Sequence, residues 1–286
     1  MSGYHTGVLV ILCFNIIAAY AVYLPLAANQ LNLGIAGFMA VGAYAAAWLT
    51  TELNWAIAPA VLVGGGASAL VALVVATPIL RTQGIYLALA TFALGQVISA
   101  VFLNLEPVGA AAGYQVPAYA PAPAVFAATA AIVAVVFYLS RTRFALYLTA
   151  LKNDATVSEL LGLNVRALQI AALAMGAAIA GIGGGLYAHH FSFIEAQHFN
   201  VALSITTVLY VLLGGTQTVW GPLVGALVYT LLPEVLRVGA GWRYVLFALF
   251  IIGFMAVRPR GLVTPDLGRR LGAMLTRRAK PGRATP

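Results

Sequence analysis

Six long stretches of this chain carry no Asp, Glu, Lys or Arg: residues 1–51, 53–80, 82–105, 107–140, 167–194 and 196–233. About 20 apolar residues are enough for a helix to cross the hydrocarbon core of a bilayer, so each run holds at least one span and the longest hold two. In lipid every backbone N–H and C=O must be satisfied inside the chain, and a helix does this within a single segment. With 62% hydrophobic and 8% charged residues, the 286-residue chain has too little polar surface to cover a soluble globule. The runs therefore predict an all-α, polytopic membrane protein.

Breaks inside the runs set the boundaries. Pro25 and the polar cluster Asn29, Gln30 and Asn32 divide the first run into spans near 8–28 and 33–51. Further spans are expected near 55–77, 84–105, 122–140, 167–188, 200–214, 221–236 and 243–257, with GGTQTVWGP (214–222) cutting the run 196–233 in two. Nine spans make a transmembrane domain of residues 1–257, interrupted by a polar cytoplasmic loop at 141–166 and followed by a basic tail, 258–286. Cytoplasmic loops carry an excess of Lys and Arg. With the loops after spans three, five and nine inside, Arg81, Arg141, Arg143, Lys152, Arg166 and the eight basic residues from Arg258 to Arg283 are cytoplasmic, against Arg237 and Arg243 outside. The C-terminus is thus expected in the cytoplasm, with the chain in a plasma (inner) membrane. The tail reads as an anchor to anionic lipid rather than a nucleic-acid surface.

Most chemistry is excluded by what is missing. The single cysteine, Cys13, has no partner for an internal disulfide. No Lys or Arg precedes the first apolar run, so residues 1–28 read as a retained span rather than a cleaved leader. The sequence holds no GxxxxGK[ST], HExxH, GxSxG or CxxC, which removes a P-loop and the familiar hydrolase and metal signatures. His189, His190, Glu195 and His198 have a spacing that a metal could use. They fall in an expected extracytoplasmic connection, where polar residues are ordinary, so no metal and no cofactor is assigned.

A transporter remains, and its energy source is the question. Ion-coupled carriers hide a titratable group at mid-membrane depth; these spans offer only small and weakly polar residues. Candidates for the path are Asn32, Gly34, Gly37, Thr91, Gln96, Thr206 and Thr207, all of which also suit close helix packing. Without an internal engine, energy must come from a partner, and ALKNDATVSELLGLNV (150–165) is the segment built to meet one. Asn153 or Asp154 caps a short helix, Thr156 to Glu159 has the spacing of a capping box, and Gly162 stops it. Val157, Leu160, Leu161 and Val165 form its apolar face; Asp154, Ser158 and Glu159 form the polar one. A helix of about two turns is unstable alone, so it either lies on the inner leaflet or docks a cytoplasmic subunit through Asn153, Asp154, Val157, Glu159, Leu160, Leu161 and Gly162.

LNLGIAGFMAVGAYAAAWL (31–49), GIYLALATFALGQVI (84–98), LKNDATVSELLGLNV (151–165), AAIAGIGGGLYAHHFSFI (177–194), LSITTVLYVLLGGTQTVWGPLVGALV (203–228) and RPRGL (258–262) together resemble the branched-chain amino acid ABC transporter permeases, of the LivM type. The resemblance implies a type II-like ABC importer fold, a LivH-type partner permease, two cytoplasmic ABC ATPase subunits and an extracytoplasmic substrate-binding protein. It puts the coupling helix at Asn153 to Gly162. Ile35-Ala36 stands where many members have a histidine beside the glycine, and Arg81-Thr82-Gln83 is an unusually short link between spans three and four. The implied activity is permeation of branched-chain or related amino acids without an ATPase site of its own. Urea, short amides or aromatic compounds as cargo, a stand-alone secondary carrier and an intramembrane enzyme are the alternatives.

Overall fold

Helices start and stop where proline, glycine or a polar cluster breaks an apolar run. The structure, a computed structural model, describes residues 3–82, 84–235, 248–249, 251–253, 256 and 261–263. Its helices are α1 (Gly3–Ala27), α2 (Ile35–Glu52), α3 (Ile57–Ile79), α4 (Ile85–Asn104), α5 (Ala122–Ser140), α6 (Arg143–Asn153), α7 (Ala155–Leu160), α8 (Val165–Phe191), α9 (Val201–Gly214) and α10 (Trp220–Val235). Among the described residues, α1, α3, α4, α5, α8 and the segment Ala196–Gly214 containing α9 are long and apolar enough to cross a membrane. Helices α2 and α10, of 18 and 16 residues, coincide with two more of the expected spans. The ninth expected span, 243–257, falls mostly outside the described residues, as do Arg237, Arg243 and nearly all of the tail.

Helices α2, α3 and α8 form the centre, with α1 laid along α8 and α9 and α10 beside α1. Lipid is as apolar as leucine, so helices in a bilayer associate through close packing and polar contacts rather than by escaping water. Glycines supply the closeness here. A methyl group added to Gly64 would stand 2.6 Å from the Gly42 carbonyl oxygen, and one added to Gly42 would overlap the backbone of Gly181. Ser68 Oγ adds a hydrogen bond of 2.8 Å to Phe38 O, fastening α3 to α2. Helix α1 is tied to the α9–α10 region by Asn15 Nδ2 donating to Thr230 Oγ1 at 2.9 Å and Tyr20 Oη donating to Val219 O at 3.1 Å. The outer helices α4 and α5 leave Ile85, Tyr86, Leu89, Val97, Val135 and Tyr138 exposed, as lipid-facing surface should be.

At one end, a two-residue strand β1 (Tyr114–Gln115) pairs antiparallel with β2 (Phe193–Ile194), Tyr114 opposite Ile194, and pins the α4–α5 connection to the end of α8. His189 and His190 do not lie in the connection as expected; they form the last turn of α8. His189 is buried with Nδ1 on Gly185 O at 2.6 Å and Nε2 on Thr50 Oγ1 at 3.0 Å, so both ring nitrogens are engaged. No group of three His, Cys, Asp or Glu among the described residues is placed to hold a metal.

At the opposite end, the loop 141–166 is more ordered than a single short helix. Arg143–Asn153 forms α6 before α7 begins, and Leu148, Leu151 and Val165 bury together with Ala28 and Ala172.

Candidate functional site

Two features stand out: a helix start buried inside the bundle and an apolar helix exposed at its edge. Between α1 and α2 the chain is non-helical from 28 to 34, yet Ala28, Gln30 and Asn32 are fully buried. Irregular backbone at membrane depth is tolerated only where protein or a water-filled cavity meets its polar groups. Side chains from three places meet them here. Leu33 N donates to Thr91 Oγ1 on α4 at 3.0 Å, Gly34 N to Asn32 Oδ1 at 2.8 Å, and Ala36 N to Ser204 Oγ on α9 at 3.0 Å. Gly34 N and Ala36 N are among the N–H groups that a helix start leaves without partners inside the helix.

Glycine makes the junction close enough to work. A methyl on Gly34 would overlap the Thr91 carbonyl, and one on Gly37 would stand 2.9 Å from Gly95 Cα. Three buried polar atoms are left over: both ends of the Gln30 amide, Oε1 and Nε2, and Asn32 Nδ2 have no hydrogen-bond partner. An amide buried without partners costs about 1–3 kcal/mol.

The structure thus brings Asn32, Gly34, Gly37 and Thr91 together. Gln96 is half-buried on α4 beside Gly95. Thr206 turns toward Tyr229 of α10, and Thr207, though buried, donates its hydroxyl to Leu203 O of its own helix at 2.7 Å. Two residues join the junction that sequence reasoning did not choose. Gln30 had been read only as part of a helix break, and Ser204, three residues before Thr207 on the same helical face, carried a signal that was available.

The exposed feature is α7. Asp154 caps it, Oδ1 accepting from Val157 N at 3.0 Å; Asn153 is the last residue of α6. The expected capping box does not form, because Thr156 lies one residue inside the helix and Glu159 falls in its last turn. Ser158, expected on the outer face, is 2% exposed and donates to Asp154 O at 2.7 Å. Gly162, at φ +83, reverses the chain, a backbone conformation that favours glycine. Val165 leaves the expected apolar face to begin α8. What remains is an apolar edge facing outward, with Val157, Leu160 and Leu161 being 49%, 82% and 75% exposed. Behind α7 lies a cavity of about 450 Å³ that Thr156 and Glu159 share with Asn29, Arg81 and Arg166.

Helix α6 links this region to the loop between α9 and α10. Lys152 Nζ donates to Thr216 O at 2.8 Å and to Thr216 Oγ1 at 3.2 Å. The end of α9 just before that loop receives residues 262–263, with Leu262 N donating to Leu213 O at 3.0 Å and Val263 N to Gly214 O at 2.9 Å.

Residues 5–257 match the family model described as branched-chain amino acid transport system / permease component. The chain is 26% identical over 282 residues to the high-affinity branched-chain amino acid transport system permease protein LivM of Escherichia coli (strain K12), covering 85% of this chain and 66% of that protein. It is 26% identical over 269 residues to the protein of the same name from Salmonella typhimurium (strain LT2), covering 82% of this chain and 63% of that one. The match spans just under two thirds of these relatives' own length. No solved structure matches the chain.

Proposed function

Because this chain belongs to the branched-chain amino acid transport permease-component family, we propose that it is the membrane-spanning subunit of an ATP-driven importer for branched-chain or related amino acids. It forms the path with a second, LivH-type permease; two cytoplasmic ATPases power it, and an extracytoplasmic binding protein delivers the ligand. The observation that carries this reading is the outward apolar edge of α7. Val157, Leu160 and Leu161 project from the end of the bundle that also holds Arg81, Arg141, Arg143, Lys152 and Arg166, the end expected in the cytoplasm. A six-residue helix has little stability of its own, so a face of this kind is best explained by a partner that covers it.

The mechanism follows from how α7 is mounted. Closure of the ATPases on ATP displaces α7, which has a cavity behind it and Gly162 at its exit. The motion passes into α8, which is packed on α1, α2 and α3. A ligand shifts such an equilibrium only by its differential affinity for the two states, and ATP acts here through the ATPase contact. The residues proposed to meet the cargo are Gln30, Asn32 and Thr91 at the start of α2. Their groups are neutral donors and acceptors, which suits weak, permissive passage with recognition left to the binding protein.

Leu161→Asp tests the docking role. The isolated chain should insert and fold as before, because the side chain is exposed. An unpaired charge in an apolar contact costs several kcal/mol, so ATP-driven uptake should vanish; normal uptake would sink the reading and leave α7 as a helix resting on the leaflet. The cargo class is tested separately by titrating the binding protein encoded beside this chain with leucine, valine, phenylalanine, urea and a sugar. Tight binding of the sugar alone would reject amino acids.

A further inference from the structure

A second cavity, of about 740 Å³, opens between the ends of α1 and α5, helix α6 and the loop at 216–219. One side is apolar, with Tyr23, Leu139, Phe144 and Leu148, and the other is polar, with Lys152, Asn153, Thr216, Gln217 and Thr218. No Asp or Glu lines it. The Lys152 ammonium has three donors; its two hydrogen bonds both go to Thr216 and both acceptors are neutral. Burial pushes its pKa down from the ordinary lysine value, as expected of a cation set aside from water without a counter-charge. Exposed Arg141 and Arg143 stand at the elbow that joins α5 to α6.

The surroundings are those of a membrane interface. Tyr138, Tyr147 and Trp220 are exposed around the same end, and Trp220 packs edge-on against Phe137 of α5 at 4.6 Å between ring centres. Such aromatics mark the level of lipid headgroups. Helix α5 is also an outer helix, only 22% buried over its most apolar stretch, so the cavity adjoins the lipid side of the bundle. An apolar side, a half-buried cation and interfacial aromatics together match one kind of molecule, with acyl chains at one end and an anionic phosphate at the other.

We propose that this cavity binds the headgroup of an anionic phospholipid, with the phosphate on Lys152 and the upper acyl chain along Leu139 and Phe144. Arg141 and Arg143 draw that lipid to the elbow. The bound lipid bridges α6 to the 216–219 loop, so it braces the support from which α7 springs. The site goes beyond the importer reading, and its test needs no transport.

The whole transporter complex is placed in nanodiscs of equal parts phosphatidylcholine and phosphatidylglycerol, then washed in mild detergent, and the retained lipid is measured by native mass spectrometry. Basic side chains near a surface favour anionic lipid enough for roughly tenfold enrichment of phosphatidylglycerol when two or more act together. Lys152→Gln, and Leu139→Trp, which fills the cavity while keeping the lysine, should each cut the ratio several-fold, with Arg141 and Arg143 holding the remainder; Lys152→Arg should retain most of it. Full enrichment in Lys152→Gln, or its loss in Lys152→Arg as well, would overturn the proposal. Photoactivatable phosphatidylglycerol on the unaltered complex should label peptides from the end of α1 and from α6, and labelling elsewhere alone would also overturn it. Glycerol 1-phosphate and valine, added to complexes in phosphatidylcholine alone, distinguish the source of the anion. Saturable binding at this cavity, lost in Lys152→Gln, would reassign it to a soluble anion if the ligand is glycerol 1-phosphate and to an amino acid if it is valine, whereas no binding of either supports the lipid.

Discussion

Replacing Gln30 with leucine separates the two roles that a buried amide can have. Gln30 is 1% exposed, and neither its Oε1 nor its Nε2 has a partner. An amide held in this way costs the fold about 1–3 kcal/mol. Leucine is close in size and removes both polar atoms, and hydrophobic swaps of similar volume are well tolerated. If the amide served only structure, the change would therefore be neutral or stabilising, by roughly 2–4 °C per kcal/mol in a chain of this size. If it meets the cargo, the cost appears in transport instead. A hydrogen bond to a charged group is worth about 1.5–3 kcal/mol, so losing one from a passing zwitterion slows uptake roughly 10- to 100-fold.

The assay is uptake by the complete transporter in liposomes with its binding protein outside, run beside a melting curve of the same preparation. Gln30→Leu should lose most of its uptake and none of its melting temperature. Asn32→Ala serves as the contrast, because Asn32 Oδ1 also holds Gly34 N; there both quantities should fall. Unchanged uptake with a raised melting temperature would refute the path assignment and make Gln30 a strained core residue. A lowered melting temperature would show that another subunit satisfies the amide in the assembly.

Gly42→Leu should abolish folded protein, because the added side chain meets the Gly181 backbone, while Gly66→Leu, with nothing within 4 Å of the added atom, should accumulate normally; equal yields would refute the close packing of α2 on α8. In a Cys13→Ser background, a cysteine at exposed Gln197 should label from outside the cell and one at exposed Thr156 from inside. Labelling of both from one side would overturn the orientation derived from the cations.

The helices were legible because their boundaries are written in residue types that resist helix. The run from Pro121 to Arg141 brackets a span read as 122–140, and α5 has those bounds. Which face of a helix lies inward was not legible, since these helices are apolar all round: Val61 is buried and Leu62 beside it exposed. Asn32 and Thr91, chosen for their polarity, both fall in the junction, but an unpaired atom is a property of the neighbourhood, and nothing in the sequence marks Gln30 as lacking partners. Ser158 shows the opposite failure. It reads as a solvent-facing residue, yet its hydroxyl is satisfied within its own turn by Asp154 O, so it can be buried without cost to hydrogen bonding. Helix α6 had a signal that was passed over. Phe144, Leu148 and Leu151 recur at i, i+4 and i+7, the spacing of a helix with one buried side, inside a loop noticed only for its charges.

Helix α8 leads from the exit of α7 to the face of α2, and it packs there through glycines. Helix α8 runs 27 residues from Val165, just beyond Gly162, to Phe191. Along it, an atom added at Gly176 would stand 2.5 Å from Ala21 O, one at Gly183 2.8 Å from an Ile17 side-chain carbon, and one at Gly184 would overlap Met39 O. The contacts at Gly176 and Gly184 set backbone on backbone, and close-packed interiors transmit strain rather than dissipate it. On the proposed mechanism, a push on Leu161 therefore reaches α2 through Gly184 and Met39. It arrives five residues from Gly34, where α2 begins and where its backbone is held by single hydrogen bonds from Thr91 and Ser204. On the same proposal, the gate lies at this start of α2, where the neutral polar residues Asn32 and Thr91 meet its backbone.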